Sequence, residues 1–208
     1  MKAAKELEKV AQAVATCTLC NLQHSRTNTV PGEGPADAEI MFIGEGPGFH
    51  ENQQGRPFVG AAGRYLDELL ESINLKRSDV FITNVVKCRP PGNRDPQADE
   101  LSACNGYLDR QIHAINPKVI VTLGRFSMAK FLPNAKISEV HGQAMNIRGR
   151  LVVAMYHPAA ALHQRSLKAT IEQDFSRLPE LIKKSSLMPE YEEAPIEEKD
   201  EPKQLSMF

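Results

Sequence analysis

No run of eighteen apolar residues occurs anywhere in the 208-residue chain, so nothing in it reads as a membrane-spanning helix. No cleavable signal pattern precedes the first motif, and a soluble cytoplasmic protein is expected. Internal repeats are absent, and the length is too small to divide comfortably into two large domains, although 41% hydrophobic residues are enough for one good core. An excess charge of either sign is lacking, since 25 basic residues balance 26 acidic ones at a formal net of −1, which looks unpromising for a partner of nucleic acid. Divided by region, the chain reads differently. Residues 185–208 carry seven acids against Lys199 and Lys203, a net of −5, which leaves residues 1–184 at +4. That mild basic bias is compatible with phosphate contacts without establishing them.

Four short apolar runs read as buried strands: Ile40–Ile43, Val80–Val86, Val119–Leu123 and Leu151–Met155. Helical periodicity fills the gaps between them, most cleanly over Ala61–Ile73 and less so over Glu100–Ile115 and Arg125–Leu132. Alternating strands and helices imply an α/β fold, a three-layer α/β/α sandwich around a central four-stranded, mainly parallel sheet. Ligands of such sheets bind outside the carboxyl ends of the strands. The loops Gly44–Val59, Lys87–Pro96 and His157–Arg165 all begin at those ends, so they are expected to converge on one site.

Cysteine is limited to four residues: Cys17 and Cys20 as a C-x2-C pair, then Cys88 and Cys104. A disulfide set does not suit a cytosolic chain, and unlinked buried cysteines rarely include a C-x2-C. Ligation of a metal or cluster by the four thiolates is the expected use. Spacing alone leaves tetrahedral zinc and a four-iron cluster both open.

Further motifs stand at the strand ends: Gly44-Glu45-Gly46-Pro47-Gly48, Gly55-Arg56-Pro57-Phe58-Val59-Gly60, Thr83-Asn84-Val85-Val86-Lys87-Cys88-Arg89-Pro90-Pro91 and His157-Pro158-Ala159-Ala160. Their order and spacing, together with the four cysteines, resemble the family 4 uracil-DNA glycosylases over residues 10–182. The resemblance implies a four-iron–four-sulfur (4Fe-4S) cluster on Cys17, Cys20, Cys88 and Cys104, with zinc as the alternative. It also implies a monomeric enzyme that flips uracil out of DNA and hydrolyses its N-glycosidic bond. The chain lacks the basic insertion by which one subgroup traps its product, so ordinary turnover is expected. Two rivals stand beside this reading: a non-catalytic zinc or cluster module that binds nucleic acid, and a glycosylase of the same fold for another damaged base.

Roles follow from the chemistry of a base held in a tight pocket. Phe58 would be the stacking platform; its bland alternative is core packing. Asn84 presents an acceptor and a donor that match uracil's N3–H and O4, unless it only ends a strand and caps a turn. His157 would hydrogen-bond the uracil O2 as negative charge develops, unless it merely starts a helix. The backbone N–H groups of Gly46 and Gly48 would approach the base. Glu45 or Glu51 would orient the water, and the resemblance also places Glu51 near the uracil C5 edge. A strong aspartate base is absent, since Gly46 stands where the family 1 enzymes carry one. Arg56, Arg89, Arg94, Arg165 and Lys168 are weak candidates for phosphate contacts.

From Ser185 onward the composition turns to Pro, Glu and Lys, the signature of a disordered acidic tail. The expected organisation is a catalytic domain at residues 1–184 and a tail at 185–208. The tail ends in Gln204-Leu205-Ser206-Met207-Phe208, which resembles the short peptide that docks bacterial repair proteins on the sliding clamp.

Overall fold

The computed structural model describes residues 1–185. The chain opens with helix α1 (Lys2–Ala15) and continues through β1 (Ile40–Gly44), α2 (Phe49–Gln54), α3 (Ala61–Ser72), β2 (Phe81–Asn84) and α4 (Ala98–Ile115). Then come β3 (Val119–Leu123), α5 (Arg125–Ala129), α6 (Ile137–Val140), β4 (Ala144–Ile147), β5 (Arg150–Met155), α7 (Pro158–His163) and α8 (Ser166–Ser185). Among the described residues no helix is long and apolar enough to cross a membrane.

The strands form one sheet in the order β2-β1-β3-β5-β4. The first four are parallel, in register Ile43↔Thr83, Phe42↔Val121 and Val121↔Val153. The fifth corrects the four-stranded expectation: β4 runs antiparallel to β5, joined to it by a two-residue turn at Arg148-Gly149. Both turn residues have positive φ, 51° and 79°, as tight hairpin turns require. The strand escapes an apolar-run search because it lies at the sheet edge, partly exposed and interrupted by Asn146. The expected strand at Val80–Val86 is also shorter, β2 ending at Asn84, after which Val85 still packs under the sheet and Val86 packs beside Cys88 and Cys104.

Successive strand side chains point to opposite faces, and each face is covered by helices. Phe42, Ile82, Val121 and Val153 meet Leu66 and Leu70 of α3 and Ile171 and Phe175 of α8. Met41, Ile43, Ile120 and Val152 meet Leu108, Ile112 and Ile115 of α4 on the other. The i, i+3, i+4 spacing of the helix residues puts each set on one stripe, so the chain folds as an α/β/α sandwich. The free edge of β2 is closed by a bridge in which Glu33 and Ile82 exchange both backbone hydrogen bonds, at 2.8 and 3.0 Å, which hides an edge that would otherwise pair with another strand.

Two glycines test this packing in opposite directions. A β-carbon on Gly63 of α3 would lie 1.9 Å from the carbonyl oxygen of Phe58, whereas one on Gly106 of α4 meets nothing within 4 Å. Gly63→Ala is expected to destabilise by about 1–3 kcal/mol through overpacking. Gly106→Ala is expected to stabilise by about 0.5–1 kcal/mol, because alanine loses less backbone entropy in a helix. Urea unfolding of the two variants checks both signs.

Candidate active site

At the carboxyl end of the sheet, where the order reverses between β1 and β3, a cleft of about 750 Å³ opens. The loops after β1, β2 and β5 all line it, bringing Glu45, Glu51, Phe58, Asn84 and His157 together. Gly46 and Gly48 line it too, but their lack of a side chain also answers to the protein itself. A β-carbon at either would come within 2.7 Å of Val86 or of Glu51 Oε2 respectively.

Phe58 is only 6% exposed and belongs to the core, yet it also walls the cleft. Its ring stacks on His157 with centroids 5.4 Å apart and planes 24° apart. Its backbone has φ 53°, uncommon for a residue with a bulky side chain. Arg77 sustains that conformation by donating to the carbonyl of Phe58 at 3.0 Å through Nη1 and to that of Pro57 through Nη2, while Asp67 shares Nη1 and Glu33 pairs with Nε. Nothing in the sequence around Arg77 signals this role, because its partners are distant in the chain.

Asn84 ends β2 at 1% exposure, and its Oδ1 is buried with no hydrogen-bond partner among the described residues. An acceptor so placed is costly unless a ligand meets it. Behind it, the fully buried Lys87 donates to the Asn84 carbonyl at 2.8 Å, to Thr83 Oγ1 at 2.6 Å and to Gln111 Oε1 at 2.7 Å. Three acceptors match the three donors of an ammonium, although burial pushes the amine down to about 7.

His157 caps α7. Its Nδ1 accepts the backbone N–H of Ala159 at 3.1 Å, which leaves the proton of a neutral ring on Nε2. Burial pushes His157 down to about 4, against the opposing pull of the Glu51 carboxylate, so the ring is neutral near pH 7. The two acids differ in use. Glu51 Oε1 accepts from the backbone of Val59 and Gly60, both at 2.9 Å, which ties α2 to the start of α3. Glu45 makes no side-chain hydrogen bond among the described residues, and burial foremost, then Asp95, raises its pKa, with Arg125 opposing.

The basic residues are mostly engaged. Arg56 pairs with Glu33 at 2.8 Å, and Arg94 grips the buried Glu100 through two nitrogens at 2.9 and 2.6 Å. Arg89 is held by Asn93 at 2.7 Å. Arg165 is exposed, and Lys168 lies on α8 near Tyr65 and Glu172, outside the cleft lining.

On the far side of the β2 loop, all four cysteines line one small cavity. None is in a disulfide. Among the described residues no three His, Cys, Asp or Glu side chains are close enough to hold a single ion. Zinc needs four sulfurs about 2.3 Å from one point, whereas a four-iron cluster takes one thiolate at each corner. Four thiols around one cavity are a donor set of the kind that either group takes. Arg26 and the Lys87 backbone N–H point at Cys88 and Cys104, at 3.5 and 3.3 Å, as donors to thiolate sulfurs do.

The uracil DNA glycosylase superfamily matches residues 31–178. The chain belongs to that superfamily. It is 49% identical to a type-4 uracil-DNA glycosylase of Sulfurisphaera tokodaii over 84% of each chain, and 46% identical to one of Archaeoglobus fulgidus over 86% of this chain and 95% of the other. Identity to a type-5 uracil-DNA glycosylase of Pyrobaculum aerophilum is 33%, over 69% of this chain and 70% of that protein. Within the superfamily the chain thus stands with the type-4 members.

The His157 geometry sets a pH window. An unfolded histidine binds its proton below about 6.5, whereas folded His157 refuses it until about 4. In between, the unfolded state holds more protons, so stability falls as pH drops from 6.5 towards 4 and is insensitive to this group above 6.5. His157→Asn keeps a good cap for α7 and is expected to flatten that part of the curve. Thermal melts of the two proteins at pH 4.5 and 7.5 measure the difference.

Proposed function

We infer that this superfamily member is a uracil-DNA glycosylase, which hydrolyses the bond between an extruded uracil and its sugar and leaves an abasic site. The observation that carries the reading is the unpartnered acceptor of Asn84, buried in the same cleft as a neutral His157 whose Nε2–H is free to donate. Uracil offers N3–H to that acceptor and O4 to the Asn84 amide, while cytosine presents a lone pair at N3 and rejects the site. Phe58 supports the ring, in keeping with stacking energies of about 1–3 kcal/mol.

As the N1–C1′ bond breaks, negative charge gathers on the uracil oxygens and positive charge on the sugar. His157 Nε2–H meets O2 at that moment. A neutral donor whose ring is pinned by Ala159 and Phe58 needs no reorganisation, which is the main source of transition-state stabilisation in such sites. Glu45, free of other hydrogen bonds, orients the water that attacks C1′ and takes its proton. Glu51 holds the loop and stands by the C5 edge, where thymine carries its methyl group.

Cys17, Cys20, Cys88 and Cys104 would hold a 4Fe-4S cluster, which would supply a fixed crosslink between α1, α4 and the β2 loop. Four irons per chain and a brown colour are expected. Stoichiometric zinc in a colourless protein purified without air would overturn the assignment.

His157→Ala should lower the single-turnover rate by roughly 10²–10³-fold while affinity for uracil-containing DNA changes little, since the lost donor matters mainly as charge develops. Duplexes bearing single uracil, hypoxanthine or mismatched thymine distinguish the rival readings: cleavage of uracil alone supports this one, and cleavage of none supports a binding module.

The peptide Gln204-Leu205-Ser206-Met207-Phe208 lies outside the described residues, as does the acidic segment before it. Docking of that peptide on a bacterial sliding clamp is the reading its pattern supports, with the acidic segment as tether. Deletion of residues 204–208 is expected to abolish clamp binding and spare cleavage of short DNA.

A further inference from the structure

At the mouth of the cleft stands a side chain that the reading of uracil leaves unused. Phe49, the first residue of α2, is 52% exposed, the one aromatic among the large exposed hydrophobic side chains of the described residues. A single exposed apolar residue is ordinary, but this ring is held in place. The guanidinium carbon of Arg89 lies over it at 5.4 Å from the centroid, and Arg89 is itself fixed by the 2.7 Å hydrogen bond from its Nε to Asn93. His50 meets the ring at 81°, with centroids 5.5 Å apart.

Phe49, His50 and Asn93 line the same cleft as Phe58 and His157. Two different loops, after β1 and after β2, therefore build one rigid aromatic and cationic shelf where a DNA strand must pass to deliver its base. A half-exposed flat ring backed on one face by a guanidinium matches a nucleotide on both counts: the base stacks on the exposed part of the ring, and the phosphate lies near the cation. An apolar peptide would match only the first, and a second copy of the chain would not follow the strand into the cleft.

We propose that Phe49 and Arg89 form a second base-stacking subsite, which holds the nucleobase adjacent to the extruded uracil in the same strand. The proposal rests on the uracil-DNA glycosylase reading and extends it to what the enzyme grips beside its target. Stacking of that neighbour stabilises the strand while the uracil is out of line. It also makes the identity of the flanking base, purine or pyrimidine, a determinant of affinity through stacking area.

The test is a cycle between the side chain and the neighbouring base. Three oligonucleotides carry one uracil each: one with ordinary neighbours, one with a baseless spacer on the 5′ side, and one with the spacer on the 3′ side. Phe49→Ala is expected to raise KM about tenfold on the first, and Phe49→Tyr, which keeps the aromatic face, to recover most of that loss. On one of the two spacer substrates the wild-type and Phe49→Ala proteins should have the same KM, because the partner of the ring is gone. Equal penalties on all three substrates, or no penalty on the first, overturn the subsite and leave the function standing. A wild-type protein inactive on every uracil substrate overturns both. Since Phe49 is half exposed, unchanged melting temperatures of the variants confirm that folding is not what is being read.

Discussion

Phe58 sits with its backbone in the left-handed region, where a residue with a β-carbon is disfavoured, and the rest of the cleft is arranged around that conformation. Arg77 holds the carbonyls of Pro57 and Phe58, Gly63 leaves the space that the Phe58 carbonyl occupies, and Gly44 allows its ring and Asn84 to approach. A β-carbon at Gly44 would lie 2.6 Å from the ring and 2.4 Å from Asn84 Oδ1. With the ring so fixed, His157 has a surface to stack on, and the position of its Nε2–H follows. Strain of this kind, of order 1–3 kcal/mol, persists only where surrounding contacts over-determine it, and here an ion-paired guanidinium and a close helix supply them.

The cleft and the cysteine cavity are joined by a few residues. Lys87 holds the Asn84 carbonyl with its side chain and offers its backbone N–H to Cys104, while the next residue is Cys88 itself. Whatever orders the cysteines therefore orders the strand end that presents Asn84. The four-cysteine cavity is thereby coupled, through backbone position, to one wall of the cleft. The basic residues follow a similar logic. Arg77 and Arg94 are bound to carboxylates that fix loops, and Arg89 is bound to Asn93 and Phe49, so cationic residues near the cleft serve first to set its shape.

Much of this was legible in the residues alone. Apolar runs located β1, β3 and β5 to within a residue or two, because parallel strands covered on both faces read as near-continuous apolar runs. Glycine loops, a strand-ending Asn and a His-Pro at strand ends placed the cleft, since a parallel sheet gathers its loops at one end whatever their sequence. The edge strand β4 escaped, for a half-exposed strand needs no apolar run, and its real signal was the Arg148-Gly149 turn.

The sequence by itself determined the sandwich, the convergence of three loops and the identity of the four thiols, because periodicity, turn chemistry and residue type are local properties. Only the tertiary structure decided which of two glutamates is tied to backbone and which is free, and which tautomer His157 adopts. It alone showed that Arg77 and Lys87, unremarkable in the chain, hold the carbonyls of Phe58 and Asn84 in the cleft wall. Those outcomes depend on contacts between positions 8 to 24 residues apart in the chain, on burial that shifts protons, and on exclusion of a β-carbon by a carbonyl from another loop. None of these leaves a mark in local composition, since each is a property of the space between elements once they have packed.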